Sequence, residues 1–169
     1  MILITGGCKS GRSKHAETLL SGYSGRKIYI ATMINDCAEA EQTIERHIKQ
    51  REGKGFETIE RTHDIHNIHL PEHCAVLVED AVNLLANEMF GENVCDPVTK
   101  TAYTLKRLDE SCDMLIVVTS STGSDGQRLG KLTDRYTAYL GMLNSRLAKM
   151  SDTVIESVCG IPVTIKERK

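Results

Sequence analysis

The chain has 169 residues, which is enough for an apolar core, and we predict a single domain over 1–169. Its 21 basic and 23 acidic residues give a formal net charge of −2, which argues against nucleic acid or an anionic membrane surface as a partner. No apolar run approaches the roughly 20 residues of a membrane-spanning helix and the first residues show no secretory leader, so we expect no membrane span and a cytoplasmic protein.

The first 17 residues predict a strand, a glycine-rich turn and a helix in that order. Ile2–Thr5 are an apolar run typical of a buried strand, and helical spacing begins at Ser13. Gly6, Gly11 and Ser13 match the pattern G-x-x-x-x-G-K-[ST], except that Arg12 occupies the lysine position. Backbone N–H groups of such a turn and the positive helix end point at one anion, so we predict a nucleotide phosphate site. The alternative is a turn that only connects strand to helix.

Apolar runs and helical periodicity alternate along the rest of the chain. Strands are predicted at 27–32, 56–59, 75–78, 114–119, 153–158 and 163–165. Helices are predicted at 36–51, 81–90, 98–112 and 129–150, with a short helix or loop at 62–73. This alternation indicates an α/β domain with a mainly parallel sheet flanked by helices, in which ligands bind at the carboxyl ends of the strands.

An acidic pair follows the predicted strand at 75–78. Glu79 is the candidate for the metal side of a nucleotide site, because one carboxylate together with the Ser13 hydroxyl would suffice to hold Mg²⁺. Asp80 competes for the same role. The alternative for these acids is a helix cap or a solvated strand end.

Histidines are the second group of candidate catalytic residues. His47 lies in the polar helix at 36–51 beside Arg46, Lys49 and Arg51, and a neutral imidazole flanked by cations is a competent nucleophile towards phosphorus. Its spacing alone favours a solvated histidine. The histidines at 63, 66, 69 and 73 recur at helical spacing, which favours exposed polar side chains, with a metal cluster as the alternative.

Motifs along the whole chain resemble one family of bifunctional enzymes. Residues 6–17 read GGCKSGRSKHAE and resemble the GGARSGKSRHAE loop typical of the adenosylcobinamide kinase / adenosylcobinamide-phosphate guanylyltransferase family of cobalamin biosynthesis. Further matches at similar spacing are YIAT at 29–32, IERH at 44–47, FETIE at 56–60, Asn87, GMLN at 141–144 and GIP at 160–162.

The resemblance implies a RecA-like P-loop NTPase fold and a homo-oligomer such as a trimer. It implies phosphorylation of the aminopropanol hydroxyl of adenosylcobinamide with ATP or GTP. A histidine then attacks the α-phosphate of GTP, pyrophosphate leaves, and GMP passes to the cobinamide phosphate. His47 falls on that histidine.

The resemblance also divides the remaining site residues into two groups. The phosphate and metal side comprises Gly6, Gly7, Cys8, Lys9, Ser10, Gly11, Arg12, Ser13, Thr32, Met33 and Glu79, of which Ser13 and Glu79 would bind Mg²⁺. The residues expected around the guanine nucleotide are Ile48, Lys49, Gln50, Arg51 and Glu60.

The chain departs from the family pattern at several positions. Arg12 keeps the charge of the P-loop lysine, but it is longer and planar. Thr43 stands where the family has arginine, and residues 119–128 keep only Thr119 and Gly123 of the family loop T-N-E-V-G-x-G-I-V-P. Two alternatives therefore remain: a P-loop protein lacking one or both activities, and a small-molecule kinase with another acceptor.

Overall fold

The strands form one sheet, and the helices that alternate with them along the chain pack on both of its faces. The computed structural model describes residues 1–91, 94–121 and 130–168. The strands are β1 (Ile2–Gly6), β2 (Arg26–Ala31), β3 (Phe56–Glu60), β4 (Cys74–Glu79), β5 (Met114–Val118), β6 (Thr153–Val158) and β7 (Ile161–Glu167). The helices are α1 (Arg12–Leu20), α2 (Ala38–Arg51), α3 (Ala81–Ala86), α4 (Pro97–Asp109) and α5 (Lys131–Met150).

The sheet has the strand order β3-β2-β4-β5-β1-β6-β7. Every neighbouring pair is parallel except β6 and β7. The predicted α/β class with a mainly parallel sheet is therefore confirmed. Because β1, β4 and β5 are adjacent and parallel, the glycine loop, Glu79 and Thr119 meet at one edge of the sheet. In the part of the chain that the structure describes, no helix is long and apolar enough to cross a bilayer.

The two faces of the sheet carry different layers. Alternate strand residues face opposite sides, so Leu3 packs with the apolar residues of α3, α4 and α5, whereas Ile4 packs with Ala16 and Leu20 of α1. Helix α2 contributes no buried apolar residue, and its one buried side chain is Arg51. The helix predicted at 36–51 is therefore polar, as the sequence indicated.

Several predicted boundaries differ from those observed. The helix predicted at 81–90 is an α-helix only as far as Ala86, and a π-helical turn (Asn87–Gly91) continues it. The helix predicted to reach residue 112 ends at Asp109. The segment at 62–73 contains one short 3₁₀ turn (Ile65–Asn67). The altered loop at 119–128 lies largely outside the described residues.

The predicted break between the last two strands is wrong in one respect. Cys159 and Gly160 both have positive φ (51° and 83°), as a two-residue I′ turn requires, and the turn pairs Val158 with Ile161. Pro162, which precedes the strand predicted at 163–165, lies inside β7. An edge strand accommodates a residue without an N–H group, whereas a central strand does not.

The β6–β7 hairpin supports the glycine loop. The Gly160 N–H donates to the Ser10 carbonyl oxygen at 2.9 Å, and the Ser157 hydroxyl donates to the same oxygen at 2.6 Å. A Cβ on Gly6 would lie 2.5 Å from the Ser157 carbonyl oxygen. Contact with this hairpin therefore requires glycine at position 6.

Replacing Gly6 with alanine is expected to lower the free energy of unfolding by about 2 kcal/mol, since the φ of +144° and the Ser157 contact both exclude a side chain. Gly7→Ala is the matched control, because its Cβ would meet nothing within 4 Å. Urea denaturation without nucleotide measures both. Equal stability of the two variants would contradict this explanation of the loop.

Candidate active site

The glycine loop leaves backbone N–H groups available to an anion. Gly6 and Gly11 have φ values of 144° and 94°, and Lys9 is also left-handed at 56°. No side chain caps the first turn of α1, which begins at Arg12. Gly7, Cys8 and Lys9 are exposed. A helix end without a side-chain cap, next to an exposed loop, is the geometry that binds phosphate.

Ser13 and Glu79 meet at the base of this loop. The Ser13 hydroxyl donates to Glu79 Oε1 at 2.6 Å, while Oε2 is buried without a hydrogen-bond partner in the described part of the chain. Burial and the neighbouring Asp80 raise the pKa of Glu79 to about 8. A buried carboxylate with a free oxygen beside a hydroxyl supplies the hard oxygen ligands that Mg²⁺ prefers, so these residues fit the predicted metal.

Asp80 takes the other role that the sequence left open. Its carboxylate accepts from the Asn83 N–H at 2.9 Å and caps α3. Its backbone N–H donates to the Thr32 hydroxyl at 2.8 Å, and the Asn87 amide donates to the Thr32 carbonyl at 2.8 Å. Thr32 is fully buried. Its hydrogen bonds with Asp80 and Asn87 connect the end of β2 to the end of β4 and to the π-helical turn.

Arg12 connects the glycine loop to the end of β5. Its guanidinium donates to the Thr119 carbonyl oxygen. Its positive charge opposes the rise in the pKa values of both Glu79 and Asp80, although burial raises these pKa values more strongly. Arg12 therefore supplies a cation at the strand ends where a P-loop lysine would supply one.

His47 is half-buried and faces the sheet. Its Nδ1 lies 3.1 Å from the Tyr29 hydroxyl. Burial, then the charges of Arg46 and Arg51, lower the pKa of His47, so the imidazole is neutral at pH about 7. Arg51 is 8% exposed, and its guanidinium carbon lies 3.7 Å from the centre of the Tyr29 ring. The helix thus presents a neutral imidazole beside a fixed cation.

One cleft is lined by residues from both predicted halves of the site, although no residue of the glycine loop lines it. Its empty volume, which includes space open to solvent, is about 430 Å³. Its lining residues are Tyr29, Ala31, Met33, Thr43, Ile44, His47, Ile48, Arg51, Thr58, Glu60, Glu79, Asp80 and Asn83. The predicted residues that it brings together are Met33, His47, Ile48, Arg51, Glu60 and Glu79. We call this space the nucleotide cleft.

Some predicted residues lie elsewhere, and some cleft residues were missed. Lys49 is exposed and does not line the cleft, while the Gln50 amide donates to Glu17 of α1 at 3.2 Å. Tyr29 and Asn83 line the cleft but were not predicted site residues. The YIAT match contained Tyr29, yet nothing in a strand pattern indicates that its hydroxyl reaches a histidine on another element.

The four histidines at 63–73 do not converge. His63 Nδ1 lies 3.0 Å from the Thr62 hydroxyl, and His66 Nδ1 lies 3.3 Å from the Thr104 hydroxyl. Among the described residues no group of three His, Cys, Asp or Glu side chains is arranged to hold a metal ion. The four histidines would have shared one face only on a continuous helix. In this segment only Ile65–Asn67 form a helical turn, so they do not share a face.

A strand, a glycine loop and a helix, with a carboxylate at the end of a second parallel strand, define an α/β protein of the P-loop NTPase class. The family described as cobinamide kinase / cobinamide phosphate guanyltransferase matches residues 2–165. The chain belongs to this family, so the predicted resemblance is confirmed.

Curated relatives match over nearly their whole length. The bifunctional adenosylcobalamin biosynthesis protein CobU of Salmonella typhimurium is 31% identical, with 98% of this chain and 99% of that protein covered. The protein of the same name from Escherichia coli is 30% identical with the same coverage. The bifunctional adenosylcobalamin biosynthesis protein CobP of Pseudomonas aeruginosa is 28% identical, with 97% and 96% covered.

Glu79 gives the stability of the protein a pH dependence of defined sign. The pKa is raised from 4.5 to about 8, so between these values the folded state binds more protons than the unfolded state. The free energy of unfolding therefore falls as the pH rises through this window. Glu79→Gln should weaken that fall and be more stable than the wild type at high pH, as measured by urea denaturation without metal.

Two additions make this measurement specific. Glu45→Gln, on the exposed face of α2, controls for the loss of one carboxylate and should keep the wild-type pH dependence. Added Mg²⁺ should raise the melting temperature of the wild type but not that of Glu79→Gln, since a ligand stabilises the state that binds it. A wild type and a Glu79→Gln variant with the same pH dependence would contradict the assignment.

Proposed function

We propose that this chain phosphorylates adenosylcobinamide with a nucleoside triphosphate and then transfers GMP from GTP to the resulting adenosylcobinamide phosphate. Membership of the cobinamide kinase / cobinamide phosphate guanyltransferase family supports both activities. The observation that carries the proposal is the nucleotide cleft, which has Glu79 of the phosphate side and His47 of the guanine side in one lining.

The kinase step uses the glycine loop. Backbone N–H groups at the start of α1 hold the phosphates, and Arg12 adds a fixed positive charge at the ends of β1 and β5. Ser13 and Glu79 would bind Mg²⁺, which neutralises charge on the transferring phosphoryl group when it is present. The acceptor hydroxyl attacks the γ-phosphorus, the bond to the bridging oxygen breaks, and the nucleoside diphosphate leaves.

The guanylyl step uses His47 as the nucleophile. A lone pair on Nε2 attacks the α-phosphorus of GTP, the bond to pyrophosphate breaks, and GMP remains on the imidazole. A phosphate oxygen of the acceptor then attacks the same phosphorus, the N–P bond breaks, and His47 returns to its neutral form. Arg51, buried beside His47 in the same cleft, neutralises charge on the phosphate oxygens during both transfers.

In the proposed attack Tyr29 holds Nδ1 of His47 and leaves Nε2 to react; the contact by itself allows either group to be the donor. Nε2 can attack only if Nδ1 carries the proton, and Nδ1 lies 3.1 Å from the Tyr29 hydroxyl. In this tautomer Nδ1–H donates to the phenol oxygen. Burial raises the pKa of Tyr29, so the phenol stays protonated and does not become a competing anion.

The expected homo-oligomer remains a proposal. The edge strand β7 exposes apolar side chains, which supports an association through this edge. Those more than 40% exposed are Ile161 at 65%, Ile165 at 60% and Val163 at 46%.

His47→Ala is expected to abolish labelling of the protein by GTP that carries a label at the α-phosphate, because no nucleophile remains for GMP. Phosphorylation of adenosylcobinamide from a γ-labelled nucleotide should persist within about threefold, since that step does not use the imidazole. Acid-labile protein label and labelled corrinoid are measured separately.

His69→Ala, an exposed histidine outside the nucleotide cleft, is the matched control and should label normally. A wild-type protein that acquires no label would overturn the guanylyl step. An unphosphorylated acceptor would instead overturn the kinase step and favour a nucleotide-binding protein without that activity.

Tyr29→Phe is expected to slow GMP–protein formation about fivefold, because a neutral hydrogen bond contributes about 1 kcal/mol and about 1.4 kcal/mol is tenfold in rate. Nitrogen chemical shifts of His47 should show a loss of the Nδ1–H tautomer, which a purely structural role for Tyr29 would not produce. Tyr23→Phe, whose hydroxyl bonds Asp113 instead, is the control. Wild-type rate and tautomer in Tyr29→Phe would disprove the positioning role.

A further inference from the structure

A second, open groove lies beside the nucleotide cleft. It runs between the start of α2 on one side and α3 with its π-helical turn on the other, and it has about 900 Å³ of empty volume. Its lining residues are Met33, Ile34, Asp36, Glu39, Ala40, Thr43, Asn83, Ala86, Asn87, Phe90 and Gly91. We call it the α2–α3 groove.

The walls of the groove are two helical faces that do not pack against each other. On the α2 side the lining residues of the helix are at 39, 40 and 43, with residue 36 just before it, and on the other side they are at 83 and 86 of α3 and at 87 and 90 of the π-helical turn. Ile34 and Phe90 are 45% and 46% exposed. Because α2 buries no apolar residue, the groove stays open along its length.

The groove and the nucleotide cleft share three lining residues, namely Met33, Thr43 and Asn83. A ligand in the groove therefore borders the space that also contains His47 and Glu79. The hydroxyl of the acceptor must reach the γ-phosphate beside Glu79, and its phosphate must then reach the GMP on His47. Continuity with the cleft is therefore the property that an acceptor site requires.

The chemistry of the walls matches a cationic corrinoid better than a second nucleotide. Ile34, Phe90 and Met33 offer apolar contact to a broad macrocycle. Asp36 and Glu39 are exposed carboxylates without an ion-pair partner in the described ranges, and they would attract a cation and repel phosphates. Adenosylcobinamide is a flat cobalt(III) macrocycle with a net positive charge and a fringe of amides. The side-chain oxygens of Asn83 and Asn87 can accept from such amides, while their amide nitrogens donate to Asp80, Thr32 and Thr62.

We propose that the α2–α3 groove binds the corrinoid ring of the acceptor and presents its aminopropanol arm to the nucleotide cleft past Met33, Thr43 and Asn83. This inference rests on the proposed function, because it names the acceptor of that reaction. It assigns to the groove a ligand class that is distinct from the nucleotide.

The first experiment blocks the groove. Ala40→Trp places a large ring on the α2 wall, while Ala38→Trp places the same ring on an exposed position of the same helix outside the lining. We expect the KM for adenosylcobinamide to rise at least tenfold in Ala40→Trp and to change less than about twofold in Ala38→Trp. The rate of GMP–protein formation from GTP should be unchanged in both, because that half-reaction needs no acceptor.

The second experiment tests the charges, and it does not depend on whether the tryptophan variant folds. Asp36→Asn combined with Glu39→Gln should raise the KM for adenosylcobinamide severalfold and have a smaller effect with dicyanocobinamide, whose two cyanide ligands remove the net charge. Glu41→Gln, exposed on α2 outside the groove, is the control and should leave both values unchanged.

The possible outcomes separate this proposal from the proposed function. An acceptor KM within about twofold of wild type in Ala40→Trp and in the double variant would overturn the groove assignment while leaving both reactions in place. A change of sedimentation in Ala40→Trp without a change in acceptor KM would show that a second copy of the chain covers the groove, which also overturns it. A wild type that forms no GMP–protein yet binds adenosylcobinamide in equilibrium dialysis, with binding lost in Ala40→Trp, would support the groove and overturn only the guanylyl step.

Discussion

Helix α2 is attached to the sheet by hydrogen bonds, charge and stacking rather than by a buried apolar face. Glu17 of α1 accepts from Gln50 and, just beyond the helix, pairs with Lys54 at 2.5 Å, while Arg51 lies over the ring of Tyr29. These contacts are directional, so they fix the rotation of the helix more tightly than apolar packing of sparse side chains would. The position of His47 follows from that rotation. The same attachment leaves the first half of α2 apart from α3, and the α2–α3 groove is the space between them.

The phosphate side of the site is organised by a carboxylate that the fold buries before any cation is bound. Glu79 ends β4, a strand buried at every position, and Ser13 satisfies only one of its oxygens. Burial keeps the acid protonated to an unusually high pH, and Arg12 opposes this effect without removing it. A divalent cation at the free oxygen would reverse the preference and stabilise the ionised form. The arginine that replaces the P-loop lysine therefore acts on the carboxylate, in addition to the role towards the phosphates that we propose for it.

The fold and half of the site follow from local patterns, whereas the rest depends on contacts between distant elements. The glycine loop was predictable because Gly6 and Gly11 mark backbone conformations that other residues avoid. The roles of Glu79 and Asp80 could not be separated, since two adjacent acids at a strand end look alike until the strand's burial and the α3 cap are known. The partial burial of His47 was equally hidden, because a polar helix indicates solvent, and only the contact with Tyr29 shows that this face is turned inward.

The shared lining of the cleft and the groove bears on how two reactions use one site. The product of the first step is the nucleophile of the second, and its phosphate is attached at the hydroxyl that was just phosphorylated. A ring held in the α2–α3 groove does not need to leave between the steps, because Met33, Thr43 and Asn83 border both spaces. In the proposed mechanism only the nucleotide must exchange, from a donor whose terminal phosphate lies beside Ser13 and Glu79 to GMP bound to His47. If the acceptor stays bound, the entropy cost of binding it arises only once, and this favours the second transfer.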